Sequence, residues 1–162
     1  MCTNAIAYFE DKNVKGSVQF HQCKGKNETI INFDLNDMIP NKTMACHIHE
    51  YGDKSDGCTT LGAHWNPKNK EHGSIYIDID ESHAGDLINN IKSDRYGKFN
   101  YQYIDPRVQL IGNVKMSVLG RSVVIHDGID DLGQGMDPTS KTTGNAGGRM
   151  ACAIIGHSNN IC

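Results

Sequence analysis

The histidines of this chain are spaced in a way that suits metal binding. Six of the eight histidines lie between positions 47 and 126, together with one well-placed aspartate: His47, His49, His64, His72, His83, Asp86 and His126. Side chains two apart on a β-strand project from the same face, so His47 and His49 can reach one point. Imidazole is a preferred ligand of zinc and copper, and a carboxylate can complete a zinc set. The set exceeds the needs of one tetrahedral ion and predicts either two metals or one metal with additional histidines.

Short apolar segments separated by turn residues must position these ligands. Val, Ile, Phe and Tyr dominate the segments, and several segments alternate with polar residues, which is typical of half-buried strands. The predicted strands are 5–10, 17–23, 29–35, 43–51, 98–104, 114–119, 121–126 and 150–156. About eight short strands predict one all-β domain over residues 1–162, built as an eight-stranded sandwich or barrel.

Two longer stretches interrupt this rhythm and contain or border most of the metal candidates. Residues 52–91 are rich in Gly, Asp, Asn, Lys and His, and residues 127–149 are rich in Gly, Asp and Thr. Loops longer than about 12–15 residues are usually functional or disordered, and we predict two long functional loops. Within the first loop, residues 74–80 alternate like a strand and predict an extra β-ribbon or a further strand. Residues 86–92 predict a helical turn or two.

The composition favours a globular protein with no global attraction for polyanions. The net charge is -3, which predicts no nucleic-acid partner and no binding to acidic membranes. The first residues lack a basic segment followed by a long apolar run, so we expect a cytoplasmic protein. Six cysteines lack zinc-finger spacing, and free thiols are the expectation for an intracellular chain. Spacing alone does not select a pair among them.

The segments around the histidines resemble the copper/zinc superoxide dismutases. The likeness runs from about residue 5 to residue 156, and its motifs are long and ordered. They are Cys46-His-Ile-His-Glu-Tyr-Gly-Asp53, Gly57-Cys-Thr59, Gly62-Ala-His-Trp-Asn-Pro67, His83-Ala-Gly-Asp-Leu87, Gly120-Arg-Ser-Val-Val-Ile-His126 and Lys141-Thr-Thr-Gly-Asn-Ala-Gly-Gly-Arg-Met-Ala-Cys152. The resemblance implies a Greek-key β-sandwich or flattened barrel that disproportionates superoxide in antioxidant defence.

The resemblance also implies a role for each residue of the site. Copper would be held by His47, His49, His64 and His126, and zinc by His64, His72, His83 and Asp86. His64 would bridge both ions, which a deprotonated imidazole with two ring nitrogens can do. Asp130 would link a copper histidine to a zinc histidine by hydrogen bonds. Arg149 would orient the superoxide anion, and Lys141 and Thr142 would guide it inward.

Further expectations from the resemblance concern cysteines and partners. The family pattern pairs Cys58 with Cys152 and leaves Cys2, Cys23, Cys46 and Cys162 free. It implies a homodimer, with a copper chaperone as a further partner. His157 stands where an apolar dimer contact is usual, and Tyr8 is expected near the same surface. The interval from His72 to His83 is longer than in typical animal members.

Two other functions remain open at the level of sequence. One is a superoxide dismutase-like copper/zinc-binding protein that acts as a metal buffer or an inactive decoy. The other is a structural β-sandwich with a stabilising zinc ion only. Metal content and a superoxide assay on the purified protein distinguish these from the enzyme.

Overall fold

The computed structural model describes residues 2–159, and eight β-strands account for most of its regular structure. The strands are β1 Cys2–Asp11, β2 Val14–Cys23, β3 Thr29–Asn36, β4 Thr43–His49, β5 Asn90–Lys92, β6 Phe99–Asp105, β7 Ser122–His126 and β8 Arg149–Ser158. Short 3₁₀ turns lie at Thr59–Leu61 and Ala84–Asp86, and one short helix, α1, covers Ser140–Thr143. Within the described range, no helix has the length and hydropathy that a membrane crossing needs.

The strands form one sheet in the order β5-β4-β7-β8-β1-β2-β3-β6, and each adjacent pair is antiparallel. The sheet curls into a nearly closed barrel. Neighbours such as β4 and β7 or β8 and β1 are distant in sequence, as Greek-key connections require. The predicted all-β fold with eight strands and two long loops is confirmed.

Alternation along the strands separates the core from the functional surface. In β1 the odd positions Ala5, Ala7 and Phe9 are buried in the hydrophobic core. In β4 the inner positions Cys46 and Ile48 join the same core. The histidines of β4 therefore project from the opposite face, where the long loops cover them. One strand thus serves the core and the metal candidates with alternate residues.

The predicted strand at 114–119 is wrong, and β5 was not predicted. A side chain starts a turn instead: Asn113 Oδ1 accepts from Lys115 N at 2.9 Å, and Asn113 O accepts from Met116 N at 2.9 Å. Val114 is 83% exposed, so its β-branched side chain has no core to join. Three-residue β5 is too short for periodicity to reveal, and its pairing with β4 creates it.

Residues 74–80 form turns, so neither the extra ribbon nor a further strand is present there. Ser74 O accepts from Ile77 N and Asp78 N at 3.0 Å each, and Asp78 Oδ1 accepts from Asp80 N. Local bonds by Ser and Asp compete with strand pairing, and here they prevail over the apolar alternation. The helical turns expected at 86–92 are also absent, since Leu87 and Asn89 have positive φ values of 49° and 59°.

Candidate metal centre

Neighbouring strands and one loop bring four histidines together. His47 and His49 lie on β4, which pairs with β7, and His126 is the last residue of β7. His64 is carried by the first long loop, which meets β4 through an isolated bridge between His49 and His64. All four rings are buried, with at most 4% of their surface exposed. We refer to His47, His49, His64 and His126 as the four-histidine cluster.

The ring nitrogens of the four-histidine cluster point at a common centre. One nitrogen from each ring lies within 4.8 Å of the others, and the Nε2 atoms of His49 and His126 are 3.3 Å apart. His47 Nδ1 and His64 Nε2 are buried without a hydrogen-bond partner among the described residues. An unsatisfied buried nitrogen is unfavourable, and a copper ion among the rings would satisfy all four at once. The donor set fits copper.

A second cluster forms around one carboxylate of the same loop. Asp86 Oδ1 lies 3.1 Å from His64 Nδ1, 2.9 Å from His72 Nδ1 and 3.0 Å from His83 Nδ1. The other carboxylate oxygen accepts from the backbone N–H groups of Gly73 and His83, which fixes its orientation. Three imidazole nitrogens and one carboxylate oxygen are a typical zinc ligand set. We call His64, His72, His83 and Asp86 the zinc-type cluster.

His64 belongs to both clusters through opposite sides of one ring. Its Nδ1 faces Asp86, whereas its Nε2 has no partner and belongs to the four-histidine cluster. The ring centroids of His47 and His64 are 4.0 Å apart, and those of His64 and His83 are 5.7 Å apart. The longer interval between His72 and His83 does not prevent this geometry, because residues 74–80 turn away as a surface excursion.

Asp130 connects the two clusters from behind. Its Oδ2 lies 2.6 Å from His47 Nε2 and its Oδ1 lies 2.9 Å from His72 Nε2. Burial raises the pKa of this carboxyl, but the hydrogen bonds from His47 and His72 outweigh burial and hold the pKa well below its usual range. The resulting carboxylate fixes both ring orientations, so that His47 Nδ1 faces the four-histidine cluster and His72 Nδ1 faces Asp86 in the zinc-type cluster.

The side chains of the four-histidine cluster are neutral at physiological pH. Burial, reinforced by repulsion from His64, lowers the pKa of His47 to about 3 and of His49 to about 2. Burial also lowers the pKa of His126 to about 4. Only a neutral imidazole offers a lone pair to a metal ion, so burial prepares these rings for binding.

Arg149 is the positive group beside the four-histidine cluster. It begins β8 opposite His126, and its charge contributes to the lowered pKa values of His49 and His126. Its guanidinium donates to the backbone oxygens of Cys58 at 2.7 Å and Thr59 at 3.2 Å, and also to that of Gly62. The loop carbonyls thus hold the half-buried cation in place.

A disulfide ties the loop that holds Arg149 to the barrel. Cys58 and Cys152 are bonded, 94 residues apart in sequence, as the family pattern implied. Because Cys58 also provides a backbone acceptor for Arg149, the bridge indirectly fixes the guanidinium. Cys46 is the one free cysteine of residues 2–159, and burial raises the pKa of its thiol to about 12.

The expectation that Cys2 and Cys23 are free thiols is wrong. The structure joins them in a second disulfide. They are direct cross-strand partners in the β1–β2 register, which sequence spacing could not reveal. Cys162, also expected to be free, lies outside the described residues.

A surface cavity of about 460 Å³ leads to the metal candidates. Lys141 and Thr142 line it together with His64, His83 and Glu71. The ammonium of Lys141 lies 3.7 Å from the Glu71 carboxylate, so part of its charge is balanced by a neighbour. The backbone oxygen of Lys141 also accepts from His72 N, which joins the rim to the zinc-type cluster.

Sequence reasoning missed Arg107, whose guanidinium is buried behind the zinc-type cluster. It pairs with Asp105 and donates to Ser82 Oγ at 2.9 Å, His83 O at 3.0 Å and Leu87 O at 3.0 Å. Asp105 is fully buried and Arg107 is 5% exposed. An Asp-Pro-Arg sequence after a strand looks like a surface turn, so no local signal indicated this role.

Sequence reasoning also missed Asn89, which packs between the loops. Its amide nitrogen donates to Asp130 Oδ2 at 3.1 Å and to Gly73 O at 2.7 Å. It therefore supports the carboxylate that connects the two clusters. Its positive φ suits an asparagine, but nothing in the local sequence distinguishes it from a surface turn residue.

Two buried clusters that share one imidazole on an antiparallel barrel define a class of protein with a paired metal centre. Residues 14–155 match the profile of the family described as copper/zinc superoxide dismutase (SODC). A curated superoxide dismutase [Cu-Zn] of Kluyveromyces lactis is 42% identical over 157 residues, covering 96% of this chain and 98% of the relative. That of Saccharomyces cerevisiae is 42% identical, covering 92% and 94% of the two chains.

A solved structure has a similar fold. The crystal structure of the clock protein EA4 has a TM-score of 0.86 and 35% identity, covering 94% of this chain and 93% of that chain. The present chain belongs to the copper/zinc superoxide dismutase family. It is accordingly an oxidoreductase of the copper- and zinc-dependent class that acts on superoxide.

Proposed function

We propose that this chain disproportionates superoxide with copper held by the four-histidine cluster and zinc held by the zinc-type cluster. The observation that carries the assignment is the orientation of His64, with Nδ1 facing Asp86 and Nε2 unpartnered among the other three histidines. Burying a ring nitrogen without a partner costs free energy, and a metal ion bound to His64 Nε2 would remove that cost. His64 is therefore the shared ligand.

The overall reaction consumes two superoxide anions and two protons and yields one dioxygen and one hydrogen peroxide. Copper, when bound, supplies the one-electron redox chemistry that takes an electron from one superoxide and returns it to another. Arg149 binds and orients each anion by charge-assisted hydrogen bonds, and its anchoring to loop carbonyls keeps it in position. His64 Nε2, which has no hydrogen-bond partner among the described residues, can hold a proton for the peroxide.

Zinc is redox-inert, so the zinc-type cluster has a structural and electrostatic role. A cation there would cross-link the first long loop and hold the His64 ring at a fixed angle. Asp130 extends this effect to His47, because the same carboxylate contacts His72. Zinc binding therefore organises the copper ligands without contacting the substrate.

Substitution of Arg149 provides the main test. In fully loaded protein, Arg149→Ala should reduce kcat/KM for superoxide by at least about tenfold, because the anion loses its charge-assisted contact. Its copper and zinc content should stay unchanged. Arg95→Ala is the matched control, since that exposed arginine lies over Tyr96. His126→Ala should lose copper and activity together.

Activity unchanged in both Arg149→Ala and His126→Ala would refute the site assignment. Loaded wild-type protein that binds copper and zinc but does not remove superoxide would instead indicate a metal buffer or decoy. Protein that retains zinc but no copper would indicate a structural zinc site only. These outcomes separate the three functions left open by the sequence.

We also propose that the chain forms a homodimer through the outer surface near β8. Ile154 and Tyr51 are 43% and 57% exposed, and Gly52, the residue after Tyr51, lies close to the Ile154 side chain. Tyr8 is 59% exposed on the outer face of the adjacent β1, which extends the apolar surface, and His157 is exposed near the end of β8. Sedimentation gives the mass of wild-type protein and of Ile154→Glu, and we expect a dimer and a monomer. The same mass for both proteins would contradict this interface.

An antioxidant role in the cytoplasm, with copper delivered by a chaperone, completes the proposal. The removal of superoxide is itself protective, and the two yeast relatives are named as copper–zinc enzymes, which need a supply of copper. Cell fractionation and copurification with a copper-delivery protein test the two statements separately. Activity in a strain without such a chaperone would contradict dependence on delivery.

A further inference from the structure

A second group of metal-binding side chains lies on the outer face of the barrel. Cys2, His21 and Cys23 each offer one ligand atom, and these atoms lie within 4.8 Å of one another. They belong to β1 and β2, whereas the four-histidine cluster is built from β4, β7 and the first long loop. The family site does not use any of them. We call these three residues the Cys–His–Cys triad.

The strand register explains why the triad comes together. Cys2 pairs with Cys23 and Asn4 pairs with His21, and one further pair, Thr3 with Gln22, lies between them in the same antiparallel ladder. Residues two apart share a face, and the buried residues Ala5 and Phe20 belong to the other face. All four side chains therefore project outward, where a solute can reach them.

The histidine is oriented for ligation by its cross-strand neighbour. His21 Nδ1 is hydrogen-bonded to Asn4 Oδ1, and an amide oxygen can only accept. The proton therefore resides on Nδ1, which leaves the lone pair on Nε2. That nitrogen lies 3.3 Å from Cys23 Sγ. A second residue that fixes the tautomer and ring angle is a regular feature of histidine metal ligands.

The triad is accessible to small molecules. A surface cavity of about 170 Å³ is lined by His21 and Cys23 together with Lys26, Glu28 and Ile30. Cys2 is exposed, unlike the buried Cys152 of the other disulfide. A thiol reductant therefore reaches the Cys2–Cys23 bridge more readily than the Cys58–Cys152 bridge. The two bridges should respond differently to the same reductant.

We propose that the Cys–His–Cys triad is a redox-gated zinc site. In the oxidised state the Cys2–Cys23 disulfide closes it. Two molecules of a small thiol such as glutathione reduce the bridge to two protein thiols and are themselves joined as one disulfide, so electrons and protons balance. Zn²⁺ then displaces up to two protons and is bound by two thiolates and His21 Nε2. Two cysteines, one histidine and a water form a known zinc coordination set.

The test uses the copper- and zinc-loaded protein, so that the family site is already filled. Wild-type protein is reduced anaerobically with glutathione, given Zn²⁺ alone, desalted and analysed for metal. We expect about one additional zinc per chain after reduction and none without it. After reduction, wild-type protein should have two more thiols per chain than Cys2→Ser/Cys23→Ser. The double variant keeps the Cys58–Cys152 bridge, so any reduction of that bridge contributes equally to both counts.

The variants distinguish a built site from adventitious binding. Cys2→Ser/Cys23→Ser should bind no additional zinc, and His21→Ala should bind it at least about tenfold more weakly, because one ligand is lost. Superoxide removal should be unchanged in both, since neither touches the metal centre. Additional zinc bound equally by the double variant would overturn the proposal. So would a wild-type bridge that resists glutathione, or two new thiols without additional zinc.

Discussion

The buried Arg107 allows a direct test of how the barrel holds the zinc-type cluster. Its guanidinium donates to Asp105 from Nε at 3.1 Å and from Nη2 at 2.8 Å. The same group donates to the backbone of His83 and Leu87 on either side of the Asp86 turn. Replacing Arg107 with Met keeps much of the side-chain volume and removes every one of these donors. Both the barrel and the loop should respond.

The magnitude follows from what remains after the substitution. Asp105 is fully buried, and its remaining donors are the backbone N–H of residue 107 and the Tyr103 hydroxyl at 3.4 Å. Removing one partner of a buried ion pair typically destabilises a protein by about 3–5 kcal/mol. The loop that carries His83 also loses its anchor. Loss of such support commonly weakens metal binding by about 10–100-fold.

Two measurements separate the two effects. Urea unfolding of the zinc-free protein gives the change in free energy of unfolding, and competition with a chromophoric chelator gives the zinc affinity. The double variant Asp105→Asn/Arg107→Met also removes the buried, unpaired carboxylate of Asp105. It should recover part of the stability but none of the zinc affinity. Arg95→Met, at an exposed arginine, is the matched control and should change neither quantity.

The zinc affinity decides whether this reasoning holds. If Arg107→Met binds zinc within about twofold of wild type, its effect falls far below the expected range and the loop is held by other contacts. If the double variant regains wild-type affinity, the buried charge alone was responsible. Either result would remove Arg107 from the residues that position the zinc ligands.

Three further changes test the rest of the centre. Asp130→Asn should weaken retention of both metals by about 10–100-fold in chelator dialysis, with exposed Asp137→Asn as control, and equal retention would contradict the link between clusters. Cys58→Ser/Cys152→Ser should lower the free energy of unfolding by up to about 4–5 kcal/mol in urea and also lower kcat/KM, since Arg149 loses its anchored acceptor. After chelation of the metals, stability should fall as the pH drops below 6.5, because His47 and His126 have pKa values lowered to about 3 and about 4 and only the unfolded chain takes up their protons. Urea titrations at two pH values measure the free energy of unfolding of the metal-free protein, and the same titrations of the fully loaded protein serve as the control.

The sequence by itself determined the fold class and the inventory of candidate ligands. Strand alternation depends on neighbours two residues apart, so it is visible locally, and it indicated seven of the eight strands. The pair His47 and His49 is likewise local, because one strand face presents both. The long motifs supplied the remaining members, and the structure brings all seven candidates into two clusters that share His64.

Only the tertiary structure decided which polar residues are buried and which distant residues meet. Arg107 and Asn89 look like surface turn residues until the barrel and the loop close over them. Residues 74–80 alternate like a strand, yet local hydrogen bonds of Ser74 and Asp78 prevail over strand pairing. Cys2 and Cys23 meet because β1 and β2 pair in one particular register. Such contacts depend on the position of the whole chain in space, and no local pattern encodes that position.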